Sequence, residues 1–151
     1  SSGRDKRSVR LWNLTEDPPV LLQSYSHTPE IQWATLSPDN QRLAAVGRKQ
    51  LIHIYKIGEQ TPQQIMGHEQ TIFRAIFSPD SQQLATAGGD ATIRFWDLAN
   101  NSELFTLHLP TQTKNKEGPL LDFDFRCTPQ GCWIAVPLTQ GKLILYELGR
   151  I

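Results

Sequence analysis

The sequence predicts an all-β chain of repeated four-stranded antiparallel sheets. Three observations predict it. The chain repeats itself: Leu36-Ser37-Pro38-Asp39 returns as Phe77-Ser78-Pro79-Asp80, and Ile54-Tyr55-Lys56-Ile57 as Phe95-Trp96-Asp97-Leu98, each 41 residues later. A fixed period of this length marks one structural unit stacked on copies of itself. Within each unit, runs of five to seven residues rich in apolar and aromatic side chains lie between Ser-Pro-Asp, Gly-Gly-Asp or Asn-Asn turn signals. Finally, those runs carry apolar residues on both sides, and no stretch has a helical period of useful length.

Taken in order, Val9-Arg10-Leu11-Trp12-Asn13-Leu14 is an upstream copy of Ile93-Arg94-Phe95-Trp96-Asp97-Leu98, and Leu143-Ile144-Leu145-Tyr146-Glu147-Leu148 a downstream one. The anchoring aromatics Trp12, Tyr55, Trp96 and Tyr146 are 43, 41 and 50 residues apart. Two longer connections account for the last interval: the polar stretch 108–119, and the turn Arg126 to Gly131, expected to be two residues longer than its counterpart at Ser78. The best-defined unit predicts strands at Ile72–Phe77, Gln83–Ala87, Thr92–Leu98 and Glu103–Leu107. Alternation puts Phe73, Ala75 and Phe77 on one side and Ile72 and Ile76 on the other. A strand apolar on both sides belongs to a sheet covered on both faces. Ser-Pro-Asp closes a tight turn, because Pro fixes φ and Asp bonds the backbone ahead of it.

Gly67-His68, Phe77-Ser78-Pro79-Asp80, Leu84-Ala85-Thr86, Gly89-Asp90 and Trp96-Asp97 together resemble one nearly complete repeat of the WD-repeat family. The resemblance covers almost the whole chain with varying quality. It implies a β-propeller, four-stranded blades around a central channel, with sequence repeats offset from blades. On that offset the chain divides into residues 1–26, the last two strands of a blade; 27–67 and 68–109, two blades; and 110–151, an incomplete last blade. That makes 13 strands, about three to three and a half blades, where propellers have about four to eight. The bare flanks would expose more apolar surface than soluble monomers usually do. Ser1-Ser2-Gly3-Arg4-Asp5 also aligns with Thr86 to Asp90. The expectation is the C-terminal segment of a longer, seven-bladed ring, completed by further blades of the same chain or by a second copy.

Composition bounds the partners. The chain has 151 residues and a formal net charge of zero, with 15 basic and 15 acidic side chains. That balance argues against a broad grip on a phosphate backbone. The densest basic cluster, Arg4, Lys6, Arg7 and Arg10, is interrupted by Asp5 and reads as solvated charge. No apolar run approaches the roughly 18 residues of a membrane span. Cys127 and Cys132 are too few for a disulfide framework. They flank a turn that could bring them near each other; buried or reduced thiols in a cytoplasmic protein are the expectation.

His68, Thr86 and Asp90 have the chemistry of a nucleophile–base–acid triad. In the family that the chain resembles, these positions and Trp96 form a buried hydrogen-bonded tetrad, so a structural network is expected. The set is complete only there: in the preceding unit Ala45, Lys49 and Tyr55 stand where Thr86, Asp90 and Trp96 do, although His27 aligns with His68. Ser1, Asp5 and Trp12 are the remnant of another. Asp122 and Asp124 lie two apart on a predicted strand whose buried side is Leu121, Phe123 and Phe125. A carboxylate pair suits glycoside chemistry or a hard cation, but an inner-strand polar stripe is the plainer account. His53, His108 and the cysteines lack zinc spacing, and Ala87-Gly88-Gly89-Asp90 is a hairpin turn rather than a phosphate cradle. No cofactor, metal or catalytic residue is expected.

What remains is a surface. The resemblance implies a docking face made of loops entering each blade and of turns between second and third strands. Those loops supply Thr28, Glu30, Gln32, Glu69, Gln70, Thr71 and Phe73; the turns supply Arg48, Lys49 and Gln140. Trp33 holds the position of Arg74, and aromatic and Arg side chains dominate binding hot spots; packing between blades is its alternative role. The reading is a non-enzymatic module that docks a protein or peptide. The Gln-rich, imperfect repeats look similar to bacterial members whose propellers end signalling ATPases, kinases or caspase-like proteases, so a regulatory domain of such an enzyme is the first alternative. A propeller hydrolase using Asp122 and Asp124 is the second. Nucleic-acid binding would need Arg48, Lys49, Lys114 and Lys116 on one face.

Overall fold

The computed structural model describes residues 8–26, 30–48, 50–109, 122–128, 130–137 and 143–149. Among them all regular structure is β, in four antiparallel sheets that follow chain order. Strands β1 (Ser8–Asn13) and β2 (Val20–Ser26) form the first. Strands β3 (Ile31–Leu36), β4 (Arg42–Gly47), β5 (Leu51–Lys56) and β6 (Gln63–Met66) form the second. Strands β7 (Ile72–Phe77), β8 (Gln83–Gly88), β9 (Thr92–Asp97) and β10 (Ser102–His108) form the third. Strands β11 (Asp124–Thr128), β12 (Gly131–Pro137) and β13 (Leu143–Gly149) form the last.

The core lies between sheets, not within one. Strand β8 shows why. Alternating side chains send Leu84 to a cluster shared with Ala44, Val46, Ile52 and Ile54 of the second sheet. The residues next to it, Ala85 and Ala87, face a cluster with Phe123, Phe125, Ile134 and Val136 of the last. Strand β4 divides likewise: Ala44 and Val46 face the third sheet, while Leu43 and Ala45 pack with Val9 and Tyr25 of the first. Small residues on the central strands let neighbouring sheets approach, and larger ones such as Ile72, Phe95 and Phe125 fill the joints. Phe95 meets Phe125 edge-on, with ring centroids 5.4 Å apart.

The Ser-Pro-Asp turns repeat in atomic detail. Ser37 donates its hydroxyl to Asp39 at 2.5 Å and accepts the Arg42 N–H at 2.9 Å; Ser78 does the same with Asp80 and Gln83 at 2.5 and 2.9 Å. Asn40 and Ser81, the next residues, take positive φ of 58° and 62°. The two turns also latch: the Ser81 hydroxyl accepts the Asp39 N–H, and its carbonyl accepts Arg42 Nη1.

Three expectations need correction. Phe73 does not share a simple face with Ala75 and Phe77: a bulge sets Ile72 opposite Gly88 and Arg74 opposite Ala87, leaving Phe73 unopposed. The turn after Arg126 is shorter, not longer. Two residues connect paired Thr128 and Gly131, where four separate Ser78 from Gln83. The cysteines are not thiols but a disulfide, since this tight connection sets Cys127 directly opposite Cys132, Cα to Cα 4.0 Å. Residues 110–121, which include the polar stretch and Leu121, lie outside the described residues, as do Ser1, Asp5, His27, Thr28, Lys49, Lys114, Lys116 and Gln140.

Candidate functional site

Strands β8 and β9 and the loop before β7 bring His68, Thr86, Asp90 and Trp96 together in one unbroken relay. Trp96 Nε1–H donates to Thr86 Oγ1 at 2.8 Å. The Thr86 hydroxyl donates to His68 Nε2 at 2.8 Å, and His68 Nδ1–H donates to Asp90 at 2.9 Å. Every polar atom is used with a single proton on the imidazole, so the neutral ring suffices. Burial holds the His68 pKa below its usual value against the pull of Asp90. For Asp90 burial pushes upward, but Thr92 Oγ1–H at 2.7 Å, the Glu69 N–H at 2.9 Å and His68 outweigh it, and the carboxyl titrates below its ordinary value. Thr86 has no exposed surface. Gly88 is required beside it: a Cβ there would strike the His68 ring and come within 2.7 Å of Asp90.

In the preceding sheet, Ala45 lies opposite His53, and Tyr55 sends its hydroxyl to the Ser26 carbonyl at 3.0 Å. The second sheet is thereby tied to the first by an aromatic that does not serve a relay of its own.

The rim around these groups is shaped by two equivalent bulges. One lies between Ile31 and Trp33, the other between Ile72 and Arg74. Their extra residues are Gln32 and Phe73, and a bulge of this kind re-aims a side chain away from the ladder. Gln32 is exposed. Phe73 and Gln70 both lie against Gly89, where an added Cβ would come within 3.3 and 3.0 Å of them. Thr71 accepts the Gly89 N–H at 2.9 Å. Arg48 is 65% exposed and pairs with Glu30 at 3.5 Å.

Trp33 and Arg74 meet across the joint: the guanidinium carbon lies 4.0 Å over the indole ring. Arg74 Nε then reaches Asp122 at 3.0 Å, so β3, β7 and the segment leading into β11 are linked in sequence. Asp124 pairs instead with Arg126 at 3.3 Å. The two carboxylates thus serve different cations, and Phe123 and Phe125, which alternate with them, are buried. Among the described residues no three His, Cys, Asp or Glu side chains converge as a metal site. Sequence reasoning missed Arg74 and Thr92. The repeat aligns Arg74 with Trp33, but does not show that the two stack on each other.

Four-stranded sheets with both faces buried, joined side to side and braced by an internal His–Thr–Trp relay, define β-propeller blades. The chain carries a WD repeat. Residues 60–97 match the family model described as WD domain, G-beta repeat. The chain is also similar to WD repeat-containing protein 1 of Xenopus tropicalis, 35% identical over 95 residues. That match covers 60% of this chain and 16% of the relative.

Proposed function

We propose that the chain is a non-enzymatic protein-interaction module that presents a rigid propeller face to a protein or peptide. The observation carrying this reading is the pair of bulges that turn Gln32 and Phe73 out of their ladders at equivalent positions. Between them the Trp33–Arg74 stack is held from both sides. A preformed rim of aromatic and Arg groups binds without an ordering cost of its own. Gln70, Thr71 and Arg48 extend the rim, with Lys49 and Gln140 assigned to it from the repeat alone. Burial of Thr86 supports a bracing role for the relay.

The proposal includes completion of the ring by further blades. Trp12 is 36% exposed, whereas its repeat counterparts Tyr55 and Trp96 are 1% and 2% exposed. A cleft of about 780 Å³ lies between β1 and β3. A cytoplasmic setting is part of the same proposal.

The test is partner recovery on immobilised protein carrying Arg48→Glu, Lys49→Glu or Phe73→Ala, with the outer-strand Met66→Asp as control. The face is supported if a partner is lost from the first three variants and kept by the control. Unchanged recovery by all three folded variants rejects it.

A further inference from the structure

We propose that Cys127 and Cys132 form a reversible thiol–disulfide exchange site, opened by a small thiol of the glutathione type that attacks at Cys127. The repeat supplies the first argument. The last residue pair before the first-to-second-strand turn is Leu36 opposite Leu43 in the second sheet and Phe77 opposite Leu84 in the third. In the last sheet Cys127 stands opposite Cys132 at the corresponding level, one pair before Thr128 and Gly131 at the turn. An apolar pair suffices there twice, and two thiols behave as small apolar groups. Both redox states are therefore compatible with the same sheet.

The second argument is access. Cys132 is 6% exposed and packs among Phe123, Phe125, Ile134 and Val136. Cys127 is only half-buried, on β11, the edge strand of its sheet. An incoming thiolate reaches the Cys127 sulfur, and the Cys132 thiolate departs and takes up a proton. A second thiol attacks the small-molecule sulfur of the mixed disulfide and frees Cys127. The balance is one protein disulfide and two thiols giving one protein dithiol and one small-molecule disulfide. In the oxidising direction a glutathione-type disulfide caps Cys127, and Cys132 displaces the cap.

The third argument is consequence. The other two hairpins keep a Ser–Asp clamp in addition to their apolar pair. Among the described residues of the last, the turn is held by Thr128, whose hydroxyl donates to the Gly131 carbonyl at 3.2 Å and accepts the Gln130 N–H at 3.3 Å. Opening the bond leaves this hairpin the least secured of the three.

The experiment equilibrates the full chain in buffers of graded glutathione and glutathione disulfide, quenches by alkylation and maps the peptides by mass. Both cysteines of the native chain are expected to titrate together as a two-electron couple. Cys132→Ser is expected to accept one glutathione on Cys127, at least tenfold faster than Cys127→Ser accepts one on Cys132. Hydrogen exchange of the reduced native chain, free of any substitution, is expected to accelerate in β11 and β12 and not in β7 and β8. The proposal is overturned if the bond opens only after denaturation, if it never forms in the folded chain, or if Cys132 is capped as fast as Cys127. Retained exchange protection in β11 and β12 on reduction would remove the structural consequence.

Discussion

Arg74 sets its guanidinium carbon 4.0 Å over the indole of Trp33, although the two residues occupy the same place in consecutive repeats. A repeat that kept one side chain at this level would set like against like across the joint. Alternation of an aromatic with a cation, followed by Asp122, converts the stack into a sequence of attractions.

The first prediction concerns this stack. Trp33→Ala and Arg74→Ala are expected to couple by about 1 kcal/mol in a double-mutant cycle measured by urea unfolding, the size of a partly desolvated cation–π contact. Asp122→Asn is expected to cost under about 1 kcal/mol, because its side chain is 58% exposed. Strict additivity of the Trp33 and Arg74 substitutions would remove the stack as a stabilising element.

The relay gives a second. Asp90→Ala strands His68 Nδ1–H, the Thr92 hydroxyl and the Glu69 N–H, and is expected to cost about 3 kcal/mol, since each unmet buried donor costs about 1–3 kcal/mol. Asp39→Ala removes a carboxylate at an exposed turn and is expected to lower the melting temperature clearly less. Equal melting shifts would contradict the buried network.

Glycine contrasts make a third test. Gly88→Ala would push a methyl group into His68 and Asp90, with an expected loss of several kcal/mol, in the range of about 1–3 kcal/mol for overpacking plus the disrupted relay. Gly58→Ala meets nothing within 4 Å but sits at φ 96°, so its expected cost is about 1 kcal/mol. Thermal melts of the two variants rank them directly.

Acid sensitivity follows from both titrating members. Each has a folded-state pKa below its unfolded value, so the unfolded chain binds more protons as pH falls. The stability contributed by His68 is complete above its unfolded value near 6.5 and is lost as pH drops through the lower folded value. The Asp90 contribution is lost in the same direction below 3.8. Chemical unfolding at pH 8, 7, 6 and 5 is expected to show a plateau and then a decline of at most about 1.4 kcal/mol per unit for one proton. His68→Gln is expected to lose stability at pH 8 and to show a shallower decline. An identical decline in that variant would exclude His68 as its source.

The strands, their order and the turn chemistry were readable from Ser37-Pro38-Asp39, its copy at Ser78, and the aromatics 41 residues apart, because these signals are local. The relay residues were readable only through resemblance: nothing in spacing alone says that Thr86 accepts from Trp96. The bulges at Gln32 and Phe73 were not readable, since an inserted residue preserves composition and merely shifts phase. The disulfide was missed because two cysteines are too few for a framework and a cytoplasmic setting favours thiols; that they flank a turn was legible, but only the register sets Cys127 opposite Cys132.

Each joint is assembled half from one repeat and half from the next, so Ala85 shares its cluster with Phe125 of the following sheet. Compensating changes in such a molecule belong about one repeat away. A single unit lifted out and inserted elsewhere would carry two unmatched halves with it, which makes the adjoining pair, and not the solitary unit, the smallest heritable piece that can be exchanged without loss.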